Sequence, residues 1–347
     1  MAQAIRLAGR GVGHTGENPS VGCVLVKGGV VIGTGRTANG GRPHAETAAI
    51  AGAVSDTSGA TAYVTLEPCA HHGKTPPCCE ALLAAGIARV VIAVTDPDDR
   101  VAGQGIAFLT SNGVDVVTGV METEAQEALT GYLARKQSGR PRVIAKSAIS
   151  IDGKIALANG KSQWITGAEA RAHGHLLRSR VDAIVVGSGT VLADIPSLTC
   201  RLSGLEDTGP TRVLFDRRGD VPAHHDFFRD AQARPLIAFS PDQALESVEG
   251  VTRIPPADGL DESLIALGKV GISRLLVEGG AGVLARFVKE ALIDEWFVYG
   301  AAKTLGGDAM SVIGPLGLSS LPDHAPYCVK TFRRVGHDWL VRLVKKG

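Results

Sequence analysis

The sequence predicts an α/β protein of two domains, and three observations carry that reading. Apolar, strand-like runs alternate with helical runs along most of the chain, the pattern of a sheet layered with helices. At 347 residues the chain is longer than one hydrophobic core ordinarily organises. A polar segment holding both backbone breakers, Gln137-Ser138-Gly139-Arg140-Pro141, separates two such runs. Residues 1–138 are read as one domain and 142–347 as the other.

In the first run, Ala2 to Arg10 is a short amphipathic helix. Val21 to Lys27 and Val30 to Gly35 form a hairpin, because Gly28-Gly29 supplies the positive φ that tight hairpin turns require. Alanine-rich His44 to Val54 is a helix, Ala62 to Leu66 a buried strand, Cys78 to Ala85 a helix and Arg89 to Val94 a further strand. Glu122 to Lys136 is helical and leads into the linker. The second run repeats the alternation. Val143 to Ala148 is a strand, Ala168 to Arg180 a helix, and Ala183 to Val186 a strand entering Gly187-Ser188-Gly189-Thr190. Thr211 to Asp216 and Pro235 to Phe239 are strands, and Arg274 to Val277 is a strand running into Glu278-Gly279-Gly280. No internal repeat or low-complexity tract is visible.

Composition narrows the class. The chain is 44% hydrophobic and 20% charged, ordinary globular material, and a net charge of +1 offers no basic stripe for nucleic acid. Forty-four glycines against 4% aromatics favour tight turns and backbone-lined sites over base-stacking platforms. Six cysteines are present, and Cys69, Cys78 and Cys79 crowd one stretch with His71 and His72. That clustering reads as metal binding in a reducing compartment rather than as a disulfide framework. The first residues lack the apolar core of a signal peptide. No run approaches the ~20 apolar residues of a membrane span. A cytoplasmic enzyme with no membrane partner is expected.

The chemistry concentrates between His44 and Cys78. His44-Ala45-Glu46, Pro68-Cys69 and Cys78 behind Thr75-Pro76-Pro77 supply one imidazole, two thiols and one spare carboxylate. Zinc favours tetrahedral nitrogen and sulfur ligation, and a catalytic site leaves the fourth position for water. The H-x-E…P-C-x-x-C pattern of zinc nucleobase deaminases uses the glutamate as proton shuttle. Here the first half is kept, while eight residues, Ala70 through Pro77, separate the cysteines where that pattern has two. One zinc ion per chain is expected on His44, Cys69 and Cys78, with Glu46 as the catalytic proton carrier. Both outer segments fall at predicted helix starts, where the helix dipole favours thiolates. Cys78 is chosen over Cys79 because it directly follows Pro77. A structural knuckle would draw a fourth ligand from Cys79, His71 or His72, and would leave Glu46 without a purpose.

The stretch Thr65-Leu66-Glu67-Pro68-Cys69-Ala70-His71-His72-Gly73-Lys74-Thr75-Pro76-Pro77-Cys78 resembles one family, together with Asn18-Pro19-Ser20-Val21-Gly22-Cys23 and Pro43-His44-Ala45-Glu46. It is the bacterial bifunctional riboflavin-biosynthesis family, a pyrimidine deaminase fused to a pyrimidine reductase. In the second half Ser150-Ile151-Asp152-Gly153-Lys154, Ser162-Gln163-Trp164-Ile165-Thr166, Gly189-Thr190-Val191-Leu192-Ala193-Asp194 and Val277-Glu278-Gly279-Gly280 are similar to the reductase motifs. The resemblance implies a cytidine-deaminase-like three-layer domain followed by a dihydrofolate-reductase-like α/β domain. It implies hydrolysis of the 2-amino group of a diaminopyrimidinone ribosylamino 5′-phosphate, then NADPH-dependent reduction of the ribosyl chain to ribityl. It also implies His44, Cys69 and Cys78 as zinc ligands, Glu46 as proton donor, and a homodimer or higher homo-oligomer.

Carried over by motif, substrate contacts in the deaminase are Asn18, His71 and Lys74; those in the reductase are Ser162, Arg178, Leu198, Arg201 and Glu278. Cofactor contacts are Ala148, Trp164, Thr190, Asp194 and the run Gly280, Ala281, Gly282, Val283, Leu284, Ala285, Arg286. Read from the residues alone, that run matches G-x-G-x-x-A between a strand and a helix, which suits phosphates at a helix N-terminus. The acidic ribose ligand of a Rossmann site is not evident. Arg178 and Arg201 suit a phosphate clamp, since guanidinium reads phosphate oxygens bidentately; each could equally be an ion-pair residue. Glu278 and Asp194 are both candidates for the reductase proton donor.

Two departures from the family pattern stand out. Ile195 follows Asp194 where the family usually has Asp or Asn, and Arg217 follows Phe215-Asp216 where it often has Ser or Thr. Arg217 or Arg218 is expected to pair with the 2′-phosphate of NADPH, and an active deaminase with an impaired reductase is the alternative that Ile195 and Arg217 raise. A nucleic-acid editing deaminase fits neither the cysteine spacing nor the charge. Residues 285–300, with Phe287, Ile293, Trp296, Phe297 and Val298, are either a partner surface or core.

Overall fold

The computed structural model describes residues 1–73, 75–98, 102–206, 208–321 and 326–346. It divides into two compact units, Met1–Gly139 and Arg140–Gly347.

The first unit runs α1 (Ala2–Gly11), β1 (Gly22–Lys27), β2 (Val30–Arg36), α2 (Ala45–Ala51), β3 (Thr61–Leu66), α3 (Cys78–Ala84), β4 (Arg89–Val94), α4 (Gln104–Ser111), β5 (Asp115–Val117) and α5 (Glu122–Ser138). Gly28 and Gly29 take φ of +58° and +79°, so the turn chemistry that predicts the hairpin is what closes it. The sheet order is β2-β1-β3-β4-β5. β1 pairs antiparallel with β2 and β3, while β3, β4 and β5 are parallel. Helices α1 and α5 pack together on one face, and α2, α3 and α4 follow one another on the other. One core joins the layers, with Leu25, Val64, Ile92, Leu82 and Leu129 fully buried.

Helix α4 is not foreseen from sequence, and its capping shows why. Glu67, buried just after β3, accepts from Gly105 N (3.0 Å) and Ile106 N (3.3 Å) through Oε1. Its Oε2 accepts from Gly103 N (3.1 Å) and Asp96 N (3.3 Å). The open donors of α4 are thus satisfied by a carboxylate distant in sequence. The same bonds hold Pro68-Cys69 against the sheet end.

The second unit runs β6 (Arg142–Ser150), β7 (Lys154–Ala156), α6 (Ala168–Arg178), β8 (Ala183–Gly187), α7 (Ser188–Asp194), β9 (Thr211–Phe215), β10 (Leu236–Phe239), β11 (Val251–Ile254), α8 (Leu260–Lys269), β12 (Arg274–Val277), α9 (Ala281–Lys289), β13 (Glu295–Ala301), β14 (Met310–Ser311), β15 (Tyr327–Val335) and β16 (Asp338–Lys345). Nine strands form a sheet in the order β11-β10-β9-β8-β12-β6-β13-β16-β15. The first seven are parallel, and β16 and β15 add antiparallel at one edge. Alternate residues feed two cores. Val143, Ala145, Val185, Leu275 and Val277 pack with Leu264, Leu284 and Phe287 of α8 and α9. Ile144, Ile184, Val186 and Leu276 pack on the opposite face with Ala170 and Leu177 of α6. This period of two, buried on both sides, is why these strands read as continuous apolar runs.

The 285–300 stripe resolves as core: Phe287 and Ile293 are fully buried and Trp296 nearly so. Apolar exposure lies instead on β15, where Val329 and Phe332 face solvent. Among the described residues no helix is long and apolar enough to cross a membrane.

Candidate active sites

In the first unit the order of elements brings the zinc-type residues to one place. His44 is the extended residue before α2, Glu46 lies in its first turn, and Cys78 opens α3 behind Pro77. Cys69 arrives from β3 through Glu67-Pro68, pinned by the Glu67 bonds. The candidate ligand atoms of His44, Cys69 and Cys78 all lie within 4.8 Å of one another. His44 Nδ1 stands 3.2 Å from Cys78 Sγ and 3.6 Å from Cys69 Sγ, and Cys78 N donates to Cys69 Sγ at 3.3 Å.

The electrostatics suit a cation. The Cys69 thiol is pushed down to about 4, chiefly by the Cys78 thiol donating to it, and Cys78 is pushed up by the same shared proton. A hydrogen bond with Cys69 raises the His44 imidazole. One nitrogen and two soft sulfurs, with no fourth protein ligand gathered with them among the described residues, fit an open catalytic zinc site better than a closed structural one. Cys79 points elsewhere, into the hydrophobic core. Glu46 is buried, and its carboxyl is pushed up to about 7, by burial first and by the Cys69 charge second. A carboxyl poised there can take and return a proton near neutral pH.

The other predicted contacts divide. The Asn18 amide lies against Gly41, whose φ of +91° and bare face leave it room. His71 has a buried Nδ1 with no hydrogen-bond partner among the described residues. His72 turns away to Glu80, at 3.1 Å. Lys74 lies outside the described residues.

In the second unit the predicted residues gather at the carboxyl ends of the parallel strands, where open α/β sheets bind ligands. Glu278 follows β12 and receives Arg178 Nε and Nη2 from α6, both at 2.9 Å. Arg178 Nη1 donates to Thr199 O (2.9 Å), as does His175 Nδ1 (3.1 Å), so Leu198 to Arg201 is anchored on α6. Leu198 is buried at φ +54°, and Arg201 Nε reaches His175 Nε2 at 3.4 Å. Lys146, absent from the sequence reading, points from the middle of β6 to within 3.7 Å of Glu278. Its signal is a lysine that directly follows the apolar run Val143-Ile144-Ala145 inside a strand. Buried as it is, Glu278 is held down at about 2 by Lys146 and Arg178. It is therefore ionised at neutral pH, which removes it as the proton donor.

For the cofactor, Gly280 N donates to Thr190 Oγ1 at 3.2 Å, tying α7 to the glycine loop that starts α9. Arg217 and Arg286 line one pocket with Phe215, Phe239, Pro256 and Leu260. Arg218 is instead paired with Asp220 at 2.7 Å, so of the two arginines only Arg217 is available to that pocket. Ala148 sits on β6 opposite Tyr299 of β13. Ser162 lies in the loop before α6, and Trp164 is 56% exposed in the same loop, 4.5 Å from the Arg171 guanidinium. Asp194 is exposed at the end of α7, and Ile195 follows it at φ +43°. Glycine-loop backbone at a helix start, in a unit where two guanidiniums without an ion-pair partner among the described residues line one pocket, fits a phosphorylated dinucleotide.

Fold and sites together define a zinc-dependent deaminase joined in one chain to a dinucleotide-dependent reductase. Comparison with known proteins agrees in each half. Residues 1–94 match the cytidine and deoxycytidylate deaminase zinc-binding region, and residues 141–341 the RibD C-terminal domain. The riboflavin biosynthesis protein RibD of Escherichia coli is 41% identical over 360 aligned positions, covering 99% of this chain and 98% of that one. That of Bacillus amyloliquefaciens is 39% identical, covering 100% and 95%. Acinetobacter baumannii RibD superposes with a TM-score of 0.92 at 36% identity, covering 100% of this chain and 98% of that one. A Thermotoga maritima deaminase/reductase does so at 0.90 and 34%, covering 100% and 97%. The chain belongs to the RibD family of bifunctional riboflavin-biosynthesis enzymes. Its cofactors are zinc and NADPH, and nothing in the comparisons favours an impaired reductase half.

Proposed function

We propose that the first unit hydrolyses the 2-amino group of 2,5-diamino-6-ribosylamino-4(3H)-pyrimidinone 5′-phosphate and that the second reduces the ribosyl chain of the product to ribityl. The observation that carries the reading is Glu46, a buried carboxyl poised at about 7 beside the gathered His44, Cys69 and Cys78. Those three would hold the zinc, which supplies Lewis acidity that makes water a nucleophile near neutral pH. Glu46 accepts the proton released from that water and returns it to the departing amine. Asn18 and His71 contact the ring, His71 through the Nδ1 that otherwise lacks a partner; Lys74 belongs to the same loop.

In the second unit bound NADPH would supply the hydride for the reduction. Ala148, Trp164, Thr190, Asp194 and Gly280 through Arg286 would line its site, with Arg217 and Arg286 reading the 2′-phosphate. Ser162, Leu198, Arg178 and Arg201 position the substrate. Ionised Glu278 orients Arg178 and Lys146 for the substrate. Exposed β15 supports self-association through the second unit, to be read by size-exclusion with light scattering. The thiol ligands and NADPH support a reducing, cytoplasmic setting.

The test follows ammonia release and NADPH oxidation together on zinc-loaded protein given the diaminopyrimidinone phosphate. Ammonia first, then NADPH loss, both abolished by Glu46→Ala, is the expected result. NADPH oxidation of undeaminated substrate by Glu46→Ala protein would overturn the order.

A further inference from the structure

The turn before His44 carries a cation that the chemistry above leaves without a task. Arg42 is half-buried two residues ahead of His44 and close enough for its charge to act on that imidazole. It reaches across to the loop between the two zinc-site cysteines, where its Nη1 donates to Thr75 Oγ1. Its Nη2 lies 3.5 Å from where a side chain on Gly73 would begin, so bare backbone leaves that edge of the fork open. No carboxylate pairs with Arg42 among the described residues, whereas Arg140, Arg178 and Arg212 each have one. The imidazole of His72 on the same loop is already paired with Glu80.

A guanidinium can brace a loop on neutral acceptors, as Arg36 does on Thr37 O and Asn39 Oδ1. One held by a single neutral hydroxyl at the rim of a site is poised to exchange it, because a phosphate dianion accepts far stronger, bidentate bonds than threonine does. We propose that Arg42 binds the 5′-phosphate of the deaminase substrate, releasing Thr75 as it does so. The inference rests on the deaminase reading above and names a contact absent from the motifs that support it.

The experiment measures deamination by the full-length, zinc-loaded chain with two probes, the ribosylamino 5′-phosphate and the same compound lacking phosphate. Arg42→Ala should raise KM for the phosphorylated probe about 10- to 100-fold, with kcat little changed and no effect on the unphosphorylated one. Inorganic phosphate should compete with the phosphorylated probe in wild type and lose that effect in Arg42→Ala. Arg42→Lys should restore part of the affinity, and Thr75→Ala should leave KM unchanged. Equal losses on both probes, or a Thr75→Ala defect matching that of Arg42→Ala, would make Arg42 a loop brace and overturn the proposal. Bound zinc and reduction of the deaminated product report folding of each variant. A wild-type chain that deaminates neither probe overturns the deaminase reading itself, and Arg42 with it.

Discussion

Replacing Glu278 by Gln removes one negative charge from a site where two cations converge. The carboxylate takes both of its 2.9 Å bonds from Arg178 and faces Lys146 at 3.7 Å, and its side chain is 9% exposed. Its fall from the ordinary 4.5 to about 2 corresponds, at 1.36 kcal/mol per pH unit, to roughly 3 kcal/mol favouring the charged, folded form. Glutamine keeps the shape but leaves Arg178 and Lys146, 16% and 22% exposed, without their counter-charge. Unpairing a buried ion pair costs about 3–5 kcal/mol, so the two estimates agree. For a unit of this size the transition should drop by roughly 6–12 °C.

Calorimetry on wild type and Glu278→Gln at pH 7 measures it, with ammonia release and NADPH oxidation as parallel readouts. Reductase activity should be lost and deaminase activity kept, since the units have separate cores. The pH dependence has a definite sign. A carboxyl depressed on folding contributes fully above about pH 4.5 and loses its contribution as pH falls through 2. The gap between wild type and variant should therefore narrow over that window. A variant melting within 2 °C of wild type at pH 7, against the shift derived above, would refute the charge argument.

Three further outcomes are expected. Glu46→Gln should retain zinc by elemental analysis yet lose about 10²–10⁴-fold in deamination, the usual worth of a general acid–base group. Arg217→Ser should erode the preference for NADPH over NADH in reductase assays, whereas Arg218→Ser, already paired with Asp220, should not. Ile195→Asn should stabilise the second unit by about 1 kcal/mol in urea titrations, because β-branched isoleucine is poorly suited to the φ of +43° and ψ of +61° it holds there.

Legibility in the sequence followed how local each cause was. The zinc-site residues could be read because each is signalled within a few residues: a proline before His44, a strand before Pro68-Cys69, a proline pair before Cys78. The hairpin was legible because Gly28-Gly29 alone determines its turn. Helix α4 was not, since its cap is Glu67, far away along the chain. Lys146 was hidden because its meaning depends on Glu278 and Arg178, brought to it by two other elements. β15 escaped because it is exposed on both faces and shows no alternation. Arg217 and Arg218 were indistinguishable as neighbours, and only the Asp220 pairing separates them.

The two glutamates show how one residue type serves opposite ends. Both Glu46 and Glu278 are buried, and burial alone would raise either. Burial and the negative Cys69 outweigh the His44 imidazole at Glu46, so its carboxyl rises to about 7 and its proton becomes exchangeable at working pH. Glu278 faces Arg178 and Lys146, so its carboxyl falls to about 2 and its charge is fixed. The first can move protons and cannot serve as a dependable anchor. The second cannot give a proton but can hold two cations in place for a phosphorylated substrate. Exchange of surroundings, rather than of residues, is what divides proton transfer in the first unit from electrostatic positioning in the second.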